Sequence, residues 1–293
     1  MTYTPVIIIG AGRSGTNMLR DTLTQINGVN TWPCDEINYI WRHHNVTYPN
    51  DEFDAGMATD RVKRYIRKEF DKMANAAPTT HLVEKTCANS LRVDFVYGIF
   101  PEAKYIHIIR DGRDVVESAK KRWTASLEPS YLSKKLQFVP KTDLPIYGVR
   151  YLWNRVYKLA SREKRLAYWG PKFNRMEQAQ ERYSLEQVCA LQWKACVDKA
   201  EESFSNIPDE QVYTIYYEEL TARPTEEVAK VCDFLGIEYN NDTLRAITAD
   251  INNKSVGKGV QRLKENDLLE SIYSLTNPTL EKHGYGKEYV AKA

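Results

Sequence analysis

Two stretches of this 293-residue chain combine residue types that hold phosphate-like anions. The first is Gly10-Ala11-Gly12-Arg13-Ser14-Gly15-Thr16-Asn17, which follows the apolar run Val6-Ile7-Ile8-Ile9. A glycine-rich turn between a buried strand and a helix presents backbone N–H groups and a helix N-terminus to an anion. The second is Ile109-Arg110-Asp111-Gly112-Arg113-Asp114-Val115-Val116-Glu117-Ser118. Arg110 stands at an expected strand tip, Ser118 falls two helical turns later, and Arg122 lies one turn further along the same face. A guanidinium fork, a hydroxyl and a second guanidinium can converge on a phosphate dianion. Two such sites in one chain imply a ligand with two separate phosphate-like groups.

The glycine loop alone leaves that ligand open. It satisfies G-x-G-x-x-G, the dinucleotide fingerprint, which also needs a second buried strand ending in an acid. Asp35 and Glu36 fall at a suitable distance, but Asn30-Thr31-Trp32-Pro33-Cys34 makes a poor buried strand. The loop also approaches the nucleotide-hydrolase form, yet Thr16-Asn17 stands where a lysine and a hydroxyl should be. Without that lysine and the magnesium-binding hydroxyl, a kinase or NTPase lacks two of its parts. What remains is a phosphate loop whose cation, Arg13, lies inside the turn.

Positioning these groups is a task for the elements around them. Short β-branched runs alternate with longer amphipathic stretches, a pattern that predicts a parallel sheet flanked by helices. Expected strands are Val6–Ile9, His81–Val83, Tyr105–Ile109 and Val212–Tyr216, and expected helices are Ser14–Gln25, Arg61–Ala74, Asp114–Trp123, Tyr151–Ala167, Leu185–Phe204 and Thr225–Leu235. Each polar cluster follows one of the strands, and carboxyl ends of parallel strands meet at one crevice. Trp123, Trp153 and Trp193 read as core residues. Residues 124–145 hold three prolines and little periodicity, so they read as a long loop or lid.

Composition narrows the class further. With 42% hydrophobic and 27% charged residues the chain is globular rather than disordered. No apolar run approaches the roughly 18 residues of a membrane span. The N-terminus has no basic region before its first strand, so a cytoplasmic location is expected. Five cysteines without a C-x-x-C pair, and five histidines of which three are scattered and His43-His44 adjacent, predict neither a disulfide framework nor a metal site. Net charge is +2, but Lys120 to Arg182 holds 15 Lys and Arg against 5 Asp and Glu, a local +10. Such a surface suits an anionic ligand or acceptor, or else a solvated helical face.

Gly-Arg-Ser-Gly-Thr at 12–16, followed by Ile-Arg-Asp-Gly-Arg-Asp at 109–114 with Ser118, resembles the sulfotransferase family. The likeness extends to Gln192-Trp193, to Tyr216-Tyr217-Glu218-Glu219-Leu220 and to Phe234-Leu235-Gly236, and is weakest between Thr124 and Arg182. In motif pattern it lies nearest the tyrosylprotein, heparan-type and bacterial enzymes. The resemblance implies a P-loop-like three-layer α/β fold in one domain over residues 1–293, with a basic helical insertion or lid at about 124–182. It implies 3′-phosphoadenosine 5′-phosphosulfate (PAPS) as donor, adenosine 3′,5′-bisphosphate as product, and no metal. The acceptor, hydroxyl or amine, stays unidentified; no nucleic-acid partner is expected.

Site residues follow from the same likeness. Gly12, Arg13, Ser14, Gly15, Thr16 and Asn17 would hold the 5′-phosphosulfate, and Arg110, Ser118 and Arg122 the 3′-phosphate. Tyr217, or its neighbour Tyr216, would approach the nucleotide. Ser255, Gly257 and Lys258 would close over it, with Arg262 assisting. Lys85 matches the lysine that such enzymes place after their second core strand, and Glu36 the catalytic glutamate. A carboxylate there would act as general base on the acceptor. His43 and His44 are rival bases, Asp35 points elsewhere, and Glu84 reads as structural. A P-loop kinase-like phosphotransferase and a non-catalytic nucleotide-binding relative are the alternatives.

Overall fold

Val6 and Ile8 pack with one set of core residues and Ile7 and Ile9 with another, so the first strand is buried on both faces. That is the environment of a central strand in a parallel sheet. A computed structural model describes residues 2–125, 137–160 and 166–287. Its strands β1 (Thr4–Ile9), β2 (Val29–Asn30), β3 (His81–Lys85), β4 (Lys104–Ile109) and β5 (Val212–Tyr216) form one sheet in the order β2-β3-β1-β4-β5. All four pairings are parallel, with Val6 beside Val83, Ile8 beside Ile106 and Ile109 beside Tyr216. The two-residue β2, absent from the sequence expectation, forms one edge.

The helices are α1 (Thr16–Leu23), α2 (Asn38–Arg42), α3 (Asp60–Ala74), α4 (Val93–Ile99), α5 (Gly112–Thr124), α6 (Leu144–Ala160), α7 (Met176–Arg182), α8 (Leu185–Phe204), α9 (Tyr217–Ala222), α10 (Pro224–Leu235), α11 (Asn241–Thr248), α12 (Lys258–Glu265) and α13 (Leu269–Lys282). On one face of the sheet, Phe70 of α3 and Phe95 of α4 join Ile7, Leu82 and Tyr105. On the other, Leu19 of α1 and Val228 and Val231 of α10 join Ile8, Val83 and Ile215. Local signals set the helix ends. Ser184 and Gln187 form a reciprocal capping box at α8, Pro224 opens α10, and Gly236 ends it at φ 70°.

Two expectations change. Helix α6 begins at Leu144 rather than Tyr151, because Pro145 in a first turn has no N–H bond to lose. Glu84 and Lys85 are the last residues of β3 rather than part of the loop beyond it. Part of the expected basic insertion, residues 126–136 and 161–165, lies outside the described residues.

The turn after β1 is cramped. A Cβ at Gly10 would lie 2.7 Å from the carbonyl oxygen of Ile108 and 2.9 Å from Thr16 Cγ2. Gly10→Ala is therefore expected to destabilise the protein by about 1–3 kcal/mol, as overpacking does. Urea unfolding of the two proteins measures this.

Candidate active site

The glycine loop carries strain that only certain residues tolerate. Arg13 and Gly15 take positive φ values of 74° and 91°. A Cβ on Gly15 would come within 2.5 Å of Tyr217 Cδ2, so glycine is needed there for space as well as backbone freedom. Gly10 N donates to Ser90 Oγ at 3.0 Å, tying the loop to the segment after β3. Ser14 Oγ and Asn17 Oδ1 are buried without a hydrogen-bond partner among the described residues. Arg13 Nε donates to Ser118 Oγ at 2.9 Å, so this side chain links the loop to the second motif. Burial, then the nearby Arg122 and Arg110, lower the Arg13 pKa.

Arg110 leaves β4 and gathers the rest of the cationic edge. Its Nη1 donates to the Arg13 carbonyl at 3.2 Å, and its Nη2 to the Ser255 carbonyl at 3.0 Å. The guanidinium carbon lies 4.1 Å from the centre of the Tyr217 ring, and Tyr217 OH is 2.7 Å from Ser255 Oγ. Asp111 takes no part in this, because Arg113 holds it through Nε and Nη2 at 2.9 and 2.7 Å. Asp114 supplies a contact that spacing did not reveal. Its Oδ2 accepts from Gly257 N at 2.7 Å, and its Oδ1 from Gly259 N at 2.6 Å. A carboxylate thus caps α12 and holds the C-terminal segment against α5. Tyr216 faces away, its hydroxyl 3.4 Å from His283 Nδ1, and Arg262 is directed to Glu117 at 3.6 Å.

Gly12, Arg13, Gly15, Thr16 and Asn17 open onto a cavity of about 1200 Å³. Glu36, Lys85, Arg110, Arg122 and Tyr217 line the same space. Ser255 and Lys258 line a smaller neighbouring cavity of about 460 Å³ with Met18, Ile247 and Ile251, and Tyr217 borders both. Lys85 Nζ donates to Glu36 Oε1 at 3.0 Å, and the same oxygen accepts from Cys87 N at 3.3 Å. Burial opposes the Lys85 charge, but Glu36 outweighs it and raises the lysine pKa. Asp35 turns toward Arg20 at 3.7 Å. His43 and His44 do not line the cavity; His43 Nδ1 lies 2.8 Å from Asp143 Oδ2.

Beyond Glu36 the walls are mainly aromatic: Tyr39, Tyr147, Tyr151, Tyr168 and Trp169. Arg122, Arg150 and Lys172 are the basic residues of the Lys120–Arg182 stretch that line the cavity among the described residues. The outer wall is tied to the region after α2 by main-chain and side-chain bonds. Asp51 N donates to the Lys172 carbonyl at 2.7 Å, while Asp51 Oδ2 accepts from Lys172 N at 2.8 Å. Asp51 Oδ1 also accepts from Arg42 Nη1 at 2.6 Å. Arg150 Nη2 donates to the Val46 carbonyl at 2.7 Å.

Beneath this floor, Glu84 is fully buried and accepts from Thr86 Oγ1 at 2.5 Å and Asn89 Nδ2 at 2.9 Å. Thr86 Oγ1 in turn accepts from Ile37 N at 3.2 Å, next to Glu36. Burial raises the Glu84 pKa from 4.5 to about 7. The folded state then binds a proton more tightly than the unfolded one, so stability falls as pH rises between those values. Unfolding free energy measured against pH is expected to fall across this window, and Glu84→Gln to flatten the slope.

Comparison with known proteins agrees with this architecture. Residues 3–278 match the family model for the sulfotransferase domain. Sulfotransferase STF9 from Mycobacterium avium superposes with a TM-score of 0.54 at 12% identity, over 100% of this chain and 79% of that one. The sulfotransferase domain from the curacin biosynthetic pathway gives 0.50 at 16% identity, over 99% and 94%. At such identities the structural likeness is one of fold. A sequence search of curated proteins finds no match. With the family match running from β1 into α13, the chain belongs to the sulfotransferase family.

Proposed function

We propose that this sulfotransferase takes the sulfuryl group from PAPS and passes it to an acceptor hydroxyl or amine, with Glu36 as general base. The observation that carries the reading is the shared cavity: the cationic loop edge and the Glu36–Lys85 pair open onto the same space. Family membership favours this reading over the kinase and dehydrogenase readings of the glycine loop.

In this reading the loop amides of Gly12 to Thr16, with Arg13, hold the 5′ end of the donor. Arg110, Ser118 and Arg122 hold its 3′-phosphate, and their surplus of positive charge suits a dianion. Arg110 Nε, buried and without a partner among the described residues, supports an anion acceptor beside it. The smaller cavity, lined by Met18, Ile247 and Ile251 with Lys258, Asp21 and Asp250, suits the adenosine part. Aromatic walls beyond Glu36 leave the larger remaining space to the acceptor.

During transfer a bond forms from the acceptor oxygen or nitrogen to sulfur, and the bond from sulfur to the bridging phosphate oxygen breaks. Glu36 receives the acceptor's proton. Arg13 and the loop amides meet the charge that grows on the leaving 5′-phosphate, the kind of preorganised stabilisation that is usually the largest catalytic term. Lys85 has three N–H donors; one holds Glu36 and the others are available to the sulfuryl and bridging oxygens. The products are a sulfate ester or sulfamate and adenosine 3′,5′-bisphosphate.

Calorimetric titration tests the donor. Adenosine 3′,5′-bisphosphate is expected to bind far more tightly than 5′-AMP, and Arg110→Ala to weaken it about 10–100-fold, as loss of a charged hydrogen bond does. Preference for ATP-Mg or NAD would overturn the assignment. Glu36→Gln tests the base. Turnover with labelled PAPS should fall about 10²–10⁴-fold at unchanged nucleotide affinity. Full activity in that variant moves the base elsewhere, and nucleotide binding without transfer to any acceptor identifies a non-catalytic relative.

A further inference from the structure

Helix α6 is apolar on the side where a surface helix is normally polar. Val149, Leu152, Trp153 and Val156 are 68%, 62%, 60% and 58% exposed. Their spacing of three, four and seven residues puts them on one stripe. Leu144, Pro145 and Gly148 continue the exposed surface toward the helix N-terminus, so no exposed residue described in α6 is polar. The inner side carries Tyr147, Tyr151 and Asn154, which line the large cavity. Trp153, expected in the core from sequence, sits instead on this outer face. Contiguous exposed apolar surface of this kind marks an interaction site.

Two further observations select what covers it. Leu144, Val149 and Trp153 also line the cavity, so the stripe runs along the cavity's mouth. The surrounding sequence is strongly basic: Lys120 to Arg182 carries a net +10. Pairing the face with a second copy would bring two such charges together. An anionic lipid surface instead satisfies both the apolar stripe and the basic sequence around it. No described helix is long and apolar enough to cross a membrane, so the contact is an interfacial one.

We propose that α6 docks the protein on an anionic lipid surface through Val149, Leu152, Trp153 and Val156, turning the mouth of the large cavity toward that surface. The proposal does not depend on the identity of the donor.

Co-sedimentation of the full chain with phosphatidylcholine vesicles, with and without phosphatidylglycerol, tests it. Binding is expected to the phosphatidylglycerol vesicles, to weaken with salt, and to be accompanied by a blue shift of tryptophan emission from Trp153. Leu152→Gln combined with Val156→Gln, two residues that do not line the cavity, should cut vesicle affinity at least about tenfold. Circular dichroism and calorimetric affinity for adenosine 3′,5′-bisphosphate should not move, which separates this result from any failure of the donor assignment. Absence of binding at low salt, equal binding to neutral vesicles, or undiminished binding by the double variant overturns the proposal. So does self-association of the wild type in sedimentation that the double variant abolishes, because the face then belongs to a second copy.

Discussion

Gathering Arg13, Arg110 and Arg122 at one edge of a sheet sets like charges against one another, and much of the surrounding structure answers that repulsion. Burial first, and then Arg122 and Arg110, lower the pKa of Arg13. Arg110 is held over the Tyr217 ring, where a cation meets the negative face of the aromatic system. Asp114 approaches Arg110 at 3.7 Å but spends its hydrogen bonds on the amides of Gly257, Gly259 and Val260. Arg113 occupies Asp111. The nearest carboxylates are thus engaged elsewhere, and the edge keeps a surplus of positive charge for an anion to neutralise.

A parallel sheet makes this concentration of charge feasible. Every crossover returns the chain to the same end, so loops distant in sequence emerge side by side. The loop after β1, the Arg110 tip of β4 and Tyr217 after β5 come together for that reason. Side-chain bonds then knit the edge: Gly10 to Ser90, Arg13 to Ser118, Arg110 to Ser255. Such bonds span 80 to 145 residues and are worth little without the sheet beneath them.

Much of the edge was legible before any coordinates because its features are local. A glycine loop after an apolar run, and an arginine at the end of another, need only their neighbours to be recognised. Strand β3 was expected to stop at Val83, short of Lys85, and the choice of Tyr217 over Tyr216 needed the turn of the chain from β5 into α9. Asp51 and Asp114 were illegible for a different reason: each acts on backbone groups far away in the chain, and an isolated aspartate carries no sign of which amide it will meet. Helix α6 misled in the opposite way. Apolar residues at helical spacing look the same in a sequence whether they face a core or solvent, so Trp153 was read as buried.

The outer wall of the large cavity has fastenings of its own. Ties through Asp51, Val46 and His43 lie in the stretch just after α2, and Gln192 Nε2 adds bonds to the carbonyls of Trp169 and Pro171. Inward side chains of residues 137–160 and 166–172 can therefore change without breaking the bonds that join Arg13 to Ser118 and Arg110 to Ser255. Chains descended from one ancestor can diverge in what they recognise through that wall while inheriting the rest of the machinery unaltered.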